Sequence, residues 1–152
     1  MNAKPTFTAD QVRAQTLHIL KGWGMEGEDA EATADALLDC DLRGIDTHGI
    51  SLLALYAGWI EGGGFELAAR AEVVREGPSS ALLDAKGGLG FAVSVRAAKL
   101  AAQKAKENGV AAVTVRNSHH FGAAGHYARI AAREGVLSLV ATSTKVVCVV
   151  PP

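Results

Sequence analysis

From Gly87 to Arg133 the chain alternates in a way that leaves few folds open. A glycine turn, Gly87-Gly-Leu-Gly90, leads into a long alanine-rich helix that runs to about Asn108, and Gly109 ends it, as a glycine just past a helix commonly does. The apolar run Val110 to Val115 reads as a strand buried on both faces. It stops at Arg116, Asn117 and Ser118. Two adjacent histidines and Phe121-Gly122 follow, and Ala123 to Arg133 reads as a helix. Open α/β sheets place ligands where a strand ends in a loop that feeds a helix. The most reactive side chains of the sequence stand in this turn, which is expected to form half of an active site.

The flanking segments read as helices before it and strands around it. Thr8-Ala-Asp-Gln11 is a capping-box pattern, with Phe7 and Val12 at the staple positions. The first helix ends near Gly22 and Gly24, and a second starts in the acidic stretch Glu26 to Glu31 and runs through Leu42 to Gly44. A third, Leu52 to Ile60, carries Leu52, Leu55, Tyr56 and Trp59 at helical spacing, with Thr47 placed to cap it and His48 beside its first turn. Ala71 to Arg75 and Ser80 to Asp84 look like short strands around Gly77-Pro78. A further strand, Val136 to Thr142, is expected to complete a βαβ unit with Val110 to Val115 and the helix from Ala123. Val146 to Val150 is another buried-strand pattern two residues before the last proline. A strand so apolar at an open end is an aggregation template, so the chain reads as the N-terminal part of a longer protein. The expected division is a helical segment, 1–65, carrying the first histidine loop, and the incomplete start of an α/β cofactor and catalytic domain, 66–152.

Composition excludes several classes of function. With 15 basic and 16 acidic residues there is no basic field for nucleic acid and no polybasic segment for a membrane. No apolar run approaches the roughly 20 residues of a membrane span, and the first residues lack the apolar core of a signal peptide. Cys40 and Cys148 sit far apart in apolar surroundings and read as free thiols in a reducing compartment, so a cytoplasmic location is expected.

The residues able to carry chemistry are few. His48, near a helix start, is held toward its neutral form by the positive helix end and suits proton transfer near neutral pH; it reads equally as a polar residue in a glycine-flanked turn. Of His119 and His120, neighbours in a loop, at most one is expected to face a pocket, and both also suit a structural role bonding loop carbonyls. His126 lies inside the following helix, off the same face, and reads as a packing or surface residue. The histidines show no i, i+4 pair, no acidic partner in register and no cysteine cluster, so no metal site is expected. Gly87 to Gly90 lacks both the P-loop lysine and the dinucleotide fingerprint spacing and reads as a glycine turn at a helix start. Arg43 and Arg116 flank the two histidine loops and suit an anion or plain solvent exposure. Lys145, beside Thr144, suits either a ligand or solvent.

Asp41-Leu-Arg-Gly-Ile-Asp-Thr-His-Gly-Ile50 and Val115-Arg-Asn-Ser-His-His-Phe-Gly122, in that order, resemble the malate/L-lactate dehydrogenase type 2 family, and the resemblance covers essentially the whole chain. It implies a non-Rossmann dehydrogenase fold, α/β, with N-terminal helices followed by a mixed sheet with βαβ units. It implies hydride transfer between NAD or NADP and a small 2-hydroxy or 2-oxo acid such as malate, lactate or sulfolactate, in a homodimer. His48 falls on the family's Ser/Thr-His-Gly histidine and His120 on the histidine before Phe/Cys-Gly, both implied as catalytic. Arg43, Arg116 and His119 are the expected substrate contacts, and Thr144 and Lys145 fall near the segment that approaches the cofactor. Two departures stand out: Leu52 occupies a position where the family often has an arginine, and family members are about twice as long. A truncated, non-catalytic binding or dimerisation module of the same fold is the rival expectation.

Overall fold

Thr8 opens the first helix as its sequence requires. In the computed structural model, which describes residues 6–64 and 66–143, the Thr8 hydroxyl accepts from the Gln11 amide at 3.2 Å and Gln11 Oε1 accepts from the Thr8 amide at 2.9 Å. Phe7 stays exposed, so the expected staple contributes little apolar burial. Helix α1 (Ala9–Gly22) packs on α2 (Gly27–Leu42), which places Glu28 and Asp29 in its first turn and buries Ala30, Thr33, Ala34, Leu37 and Cys40 at helical spacing. One turn of 3-10 helix (Asp46–His48) joins α2 to α3 (Leu52–Glu61). Thr47 lies inside that turn rather than capping α3. Its hydroxyl is 2.8 Å from His48 Nδ1, and Ser51 takes the cap position without a side-chain cap bond.

The strands β1 (Glu72–Gly77) and β2 (Ser80–Asp84) form an antiparallel hairpin over Pro78 and Ser79. Helix α4 (Gly90–Asn108) then crosses to β3 (Ala112–Arg116), which pairs parallel to β2 and gives the order β1-β2-β3. This β2-α4-β3 unit buries Ala81, Leu83 and Ala85 against Val93 and Ala97 of α4. The other apolar cluster joins α1, α2 and Tyr56 of α3 to Leu67, Leu89 and Phe91. Phe91 and its neighbours at the start of α4 thus connect the helices to the sheet. The last helix, α5 (Ala124–Arg133), also packs on α4.

Two expectations fail here. β3 is not buried on both faces: Val113 and Val115 face the cluster under α4, while Ala112, Thr114 and Arg116 alternate outward to solvent. No second layer covers that outward face among the described residues. Val136 to Thr142 forms no strand, and Leu137 and Leu139 stand almost wholly exposed. A strand exists only where its amides and carbonyls find a ladder, and this segment has none. The βαβ unit is therefore the preceding one. Val146 to Val150 and Cys148 lie outside the described residues. No helix among the described residues is long and apolar enough to cross a membrane.

Candidate active site

The loop after β3 is zipped onto the glycine turn before α4. Hydrogen bonds continue past the strand ends: Ala85 N–H to Arg116 O at 3.0 Å, Gly87 N–H to Asn117 O at 2.8 Å, His119 N–H to Gly88 O at 3.1 Å and Gly90 N–H to His120 O at 3.0 Å. The contact is so close that a Cβ on Gly90 would stand 2.6 Å from Phe121 Cβ and 2.7 Å from the His119 carbonyl. This is the structural reason for the fourth position of Gly-Gly-Leu-Gly. It also removes the turn as a phosphate cradle, because the amides of Gly87, Gly88 and Gly90 all bond carbonyls of the chain itself. At the far end of the loop, Phe121 stacks on Tyr127 with ring centroids 5.3 Å apart, and the Tyr127 hydroxyl donates to the Phe121 carbonyl. His120 is thus clamped from both sides.

His48 is positioned by a different device. Asp41, from the end of α2, accepts the Ile50 amide at 2.9 Å, and its carboxylate fills the space a side chain at residue 49 would need. A Cβ on Gly49 would lie 1.7 Å from Asp41 Oδ1. The glycine after His48 is therefore a packing requirement.

The two devices bring the sequence-distant histidines together. The His48 and His120 rings face each other with centroids 5.8 Å apart and planes inclined by 28°. Tyr56 of α3 completes the group, its hydroxyl 2.7 Å from His120 Nδ1. The Gly122 amide donates to the same nitrogen at 3.3 Å, and Phe91 meets the His120 ring edge-on at 6.1–6.3 Å from the Tyr56 and His120 rings. Burial, and next the charge of His48, push the His120 imidazole below its usual pKa, favouring the neutral ring. Burial pushes the Tyr56 phenol well up, so it stays protonated.

The other expected contacts lie elsewhere or are already engaged. His119 is exposed and lines a hollow of about 330 Å³ with Gly58, Trp59, Gly62 and Gly64. Arg43 bonds Asp39 through Nε at 2.8 Å, and Arg116 bonds Asp84 through Nε at 2.9 Å. Asp84 also accepts from the Lys86 amide and from Asn117, which depress its pKa together with Arg116. His126 bonds Asp39 at 3.0 Å, and Arg129 bonds the same carboxylate. Burial would raise the Asp39 pKa, but the hydrogen bonds from His126, Arg129 and Arg43 outweigh it and hold the group at about 2. His126, read as a packing or surface residue, instead ties α5 to α2 through this carboxylate. Leu52 is half-buried against the helical core. Among the described residues no three or more His, Cys, Asp or Glu side chains are placed to hold a metal ion. Thr144 and Lys145 lie outside the described residues. Sequence alone does not single out Tyr56, Asp41 or Asp39: Tyr56 occupies one more apolar-stripe position, and nothing local links it to a histidine 64 residues away.

Comparison with known proteins places the chain in a family. The sequence profile of the malate/L-lactate dehydrogenase family matches residues 7–152. The chain belongs to that family. It is 43% identical over 136 residues to a malate dehydrogenase of Pyrococcus abyssi, covering 90% of this chain and 38% of the relative. It is 37% identical over 128 residues to a (2R)-3-sulfolactate dehydrogenase (NADP(+)) of Chromohalobacter salexigens, covering 83% of this chain and 38% of the relative. The fold superposes on the crystal structure of a malate dehydrogenase from Entamoeba histolytica with a TM-score of 0.83 at 35% identity, covering 88% of this chain and 37% of that one. This malate/L-lactate dehydrogenase family chain therefore spans about 38% of the length of the curated relatives it matches.

Proposed function

We propose that the chain carries the acid–base side of the active site of an NAD(P)-dependent dehydrogenase for a small 2-hydroxy or 2-oxo acid, of the malate, lactate or sulfolactate kind. The observation that carries this reading is the facing pair His48 and His120, 5.8 Å apart and buttressed by Tyr56. Oxidising a secondary alcohol requires one group to take the hydroxyl proton while a second polarises the oxygen, and imidazole suits both tasks near neutral pH. The relatives named malate and sulfolactate dehydrogenase support the substrate class, and the NADP(+)-dependent one supports a nicotinamide.

When bound, the nicotinamide supplies the acceptor or donor of hydride. The imidazole pair suits the atoms next to such a group, whereas the amides before α4 are engaged and do not suit its phosphates. Thr144 and Lys145 are the residues we assign to holding the cofactor. Arg43, Arg116 and His119 remain our assignments for the substrate side. A substrate carboxylate would share the two arginines with Asp39 and Asp84, and His119 opens onto the hollow beside Trp59. We further assign the working molecule to a cytoplasmic homodimer.

The test is turnover of a 2-hydroxy acid by the intact protein. His48→Ala and His120→Ala are each expected to lower it by roughly two or more orders of magnitude, the scale of general acid–base loss. Near-normal turnover in both variants would end this reading.

A further inference from the structure

We infer that the hollow beside Trp59 is a subsite for the substrate's side chain, and that the side chain it suits is a flat apolar ring. The inference rests on the proposed function and narrows its substrate class to a lactate or pyruvate carrying such a ring, as in phenyllactate. The hollow measures about 330 Å³ and is lined by Gly58, Trp59, Gly62, Gly64 and His119. That volume lies at the small end of the range for ligand pockets. Both ring-bearing walls stand one step from His120. Trp59 packs on Tyr56 with ring centroids 5.8 Å apart, and the Tyr56 hydroxyl lies 2.7 Å from His120 Nδ1. His119 precedes His120 in the loop, and the same zipper fixes both: the His119 amide donates to Gly88 O, and the His120 carbonyl accepts from Gly90. Gly58 and Gly62, one turn apart on α3, leave bare backbone between those walls. A Cβ on Gly58 would meet no described neighbour within 4 Å, so the space above it is open.

The lining decides what such a hollow holds. Two ring side chains over glycine backbone favour a flat apolar group, which stacks on their faces and leaves water as it does so. A second carboxylate or a sulfonate would find no lysine or arginine among the described lining residues. Its loss of water there would go largely uncompensated, the His119 imidazole being the one titratable group in the lining. Arg43 and Arg116 already bond Asp39 and Asp84, and the acid's own carboxylate is assigned to them. A charged tail would therefore compete for cations that are spoken for, whereas an aromatic tail meets surfaces of its own kind. Trp59 and His119 are accordingly specificity-determining residues: they touch the substrate away from the reacting carbon.

The experiment has a binding arm, which needs no turnover, and a kinetic arm. In 15N-labelled intact protein, the indole N–H of Trp59 is assigned from the signal missing in Trp59→Phe. Titration with phenyllactate is expected to shift that signal, and malate is expected to leave it in place. Gly58→Leu puts a side chain into the open space and should abolish the phenyllactate shift. Leucine is a better helix former than glycine, so the urea midpoint of this variant should not fall. In the kinetic arm, kcat/KM for phenyllactate is expected to exceed that for malate by at least about tenfold. Gly58→Leu should lower the ratio of phenyllactate to lactate by at least about tenfold, within the range by which apolar pockets discriminate size. A Trp59 signal unmoved by phenyllactate, or moved as far by malate, would overturn the inference, and the wild-type titration decides this even if the variant does not fold. Preference for malate would overturn it too. So would equal losses for lactate and phenyllactate in Gly58→Leu, which would put the nicotinamide in the hollow instead. Each of these outcomes leaves the proposed function standing. That function fails separately, on near-normal turnover in both histidine-to-alanine variants.

Discussion

At the scale of single residues, the site depends on places where only hydrogen fits, among them Gly49, Gly90 and Gly122. Gly49 is the sharpest case, because the atom occupying its missing side-chain position is the Asp41 carboxylate that also caps the Ile50 amide. Gly49→Ala must push that carboxylate away, and we expect it to cost about 1–3 kcal/mol in urea unfolding, the usual range for overpacking. The cost should not be additive. In an Asp41→Ala background the obstructing carboxylate is gone, so adding Gly49→Ala should cost less than half as much as it does in wild type. Equal costs in both backgrounds would place the strain in the backbone instead. The sequence showed that His48 is followed by glycine, and the family resemblance gave it a role. It did not show why, since the reason is a side chain eight positions earlier that folds back over the turn.

At the scale of elements, legibility follows the range of the interaction. The capping box at Thr8, the end of α4 at Gly109 and the hairpin around Pro78 are local arrangements, and each was readable from adjacent residues. Burial of β3 on one face, and the absence of a strand at Val136 to Thr142, depend on which layers lie above and beside them; hydropathy along the chain carries no such information. The same holds for the ionic clamp at Asp39. This carboxylate on α2 gathers Arg43 of the same helix end and His126 and Arg129 of α5, so it fastens two helices 87 and 90 residues apart in sequence. Its folded-state pKa of about 2 lies below the ordinary carboxylate value. The stability it contributes is therefore complete above about pH 4 and is lost as pH falls through about 2. Asp39→Asn is expected to lower stability at neutral pH by about 1–3 kcal/mol, the range for hydrogen bonds to a charged group. The difference between wild type and variant should shrink as denaturation is repeated from pH 4 toward pH 2. A difference that stays constant over that interval would mean that the clamp holds by shape and not by charge.

At the scale of the whole molecule, the chain spans about 38% of the relatives' length, and the facing His48 and His120 rings are held by its own described residues. The helical core reaches the loop after β3 through Phe91, whose ring lies beside both Tyr56 and His120. What the described residues do not supply is cover for the far side of the sheet. Leu137 and Leu139 are 100% and 95% exposed, and Val110 before β3 is 71% exposed, although each is a residue that burial would favour. Apolar groups already in water contribute no burial to this fold, so replacing them should leave its stability within about 0.5 kcal/mol. We expect the double variant Leu137→Asp, Leu139→Asp to unfold at the same urea concentration as wild type. The consequence should appear in association instead. Exposed apolar residues promote contact between molecules, and two added carboxylates oppose it. Light scattering at rising concentration should therefore show less association in the variant. A large drop in its unfolding midpoint would instead mean that these leucines pack against the rest of this chain in solution.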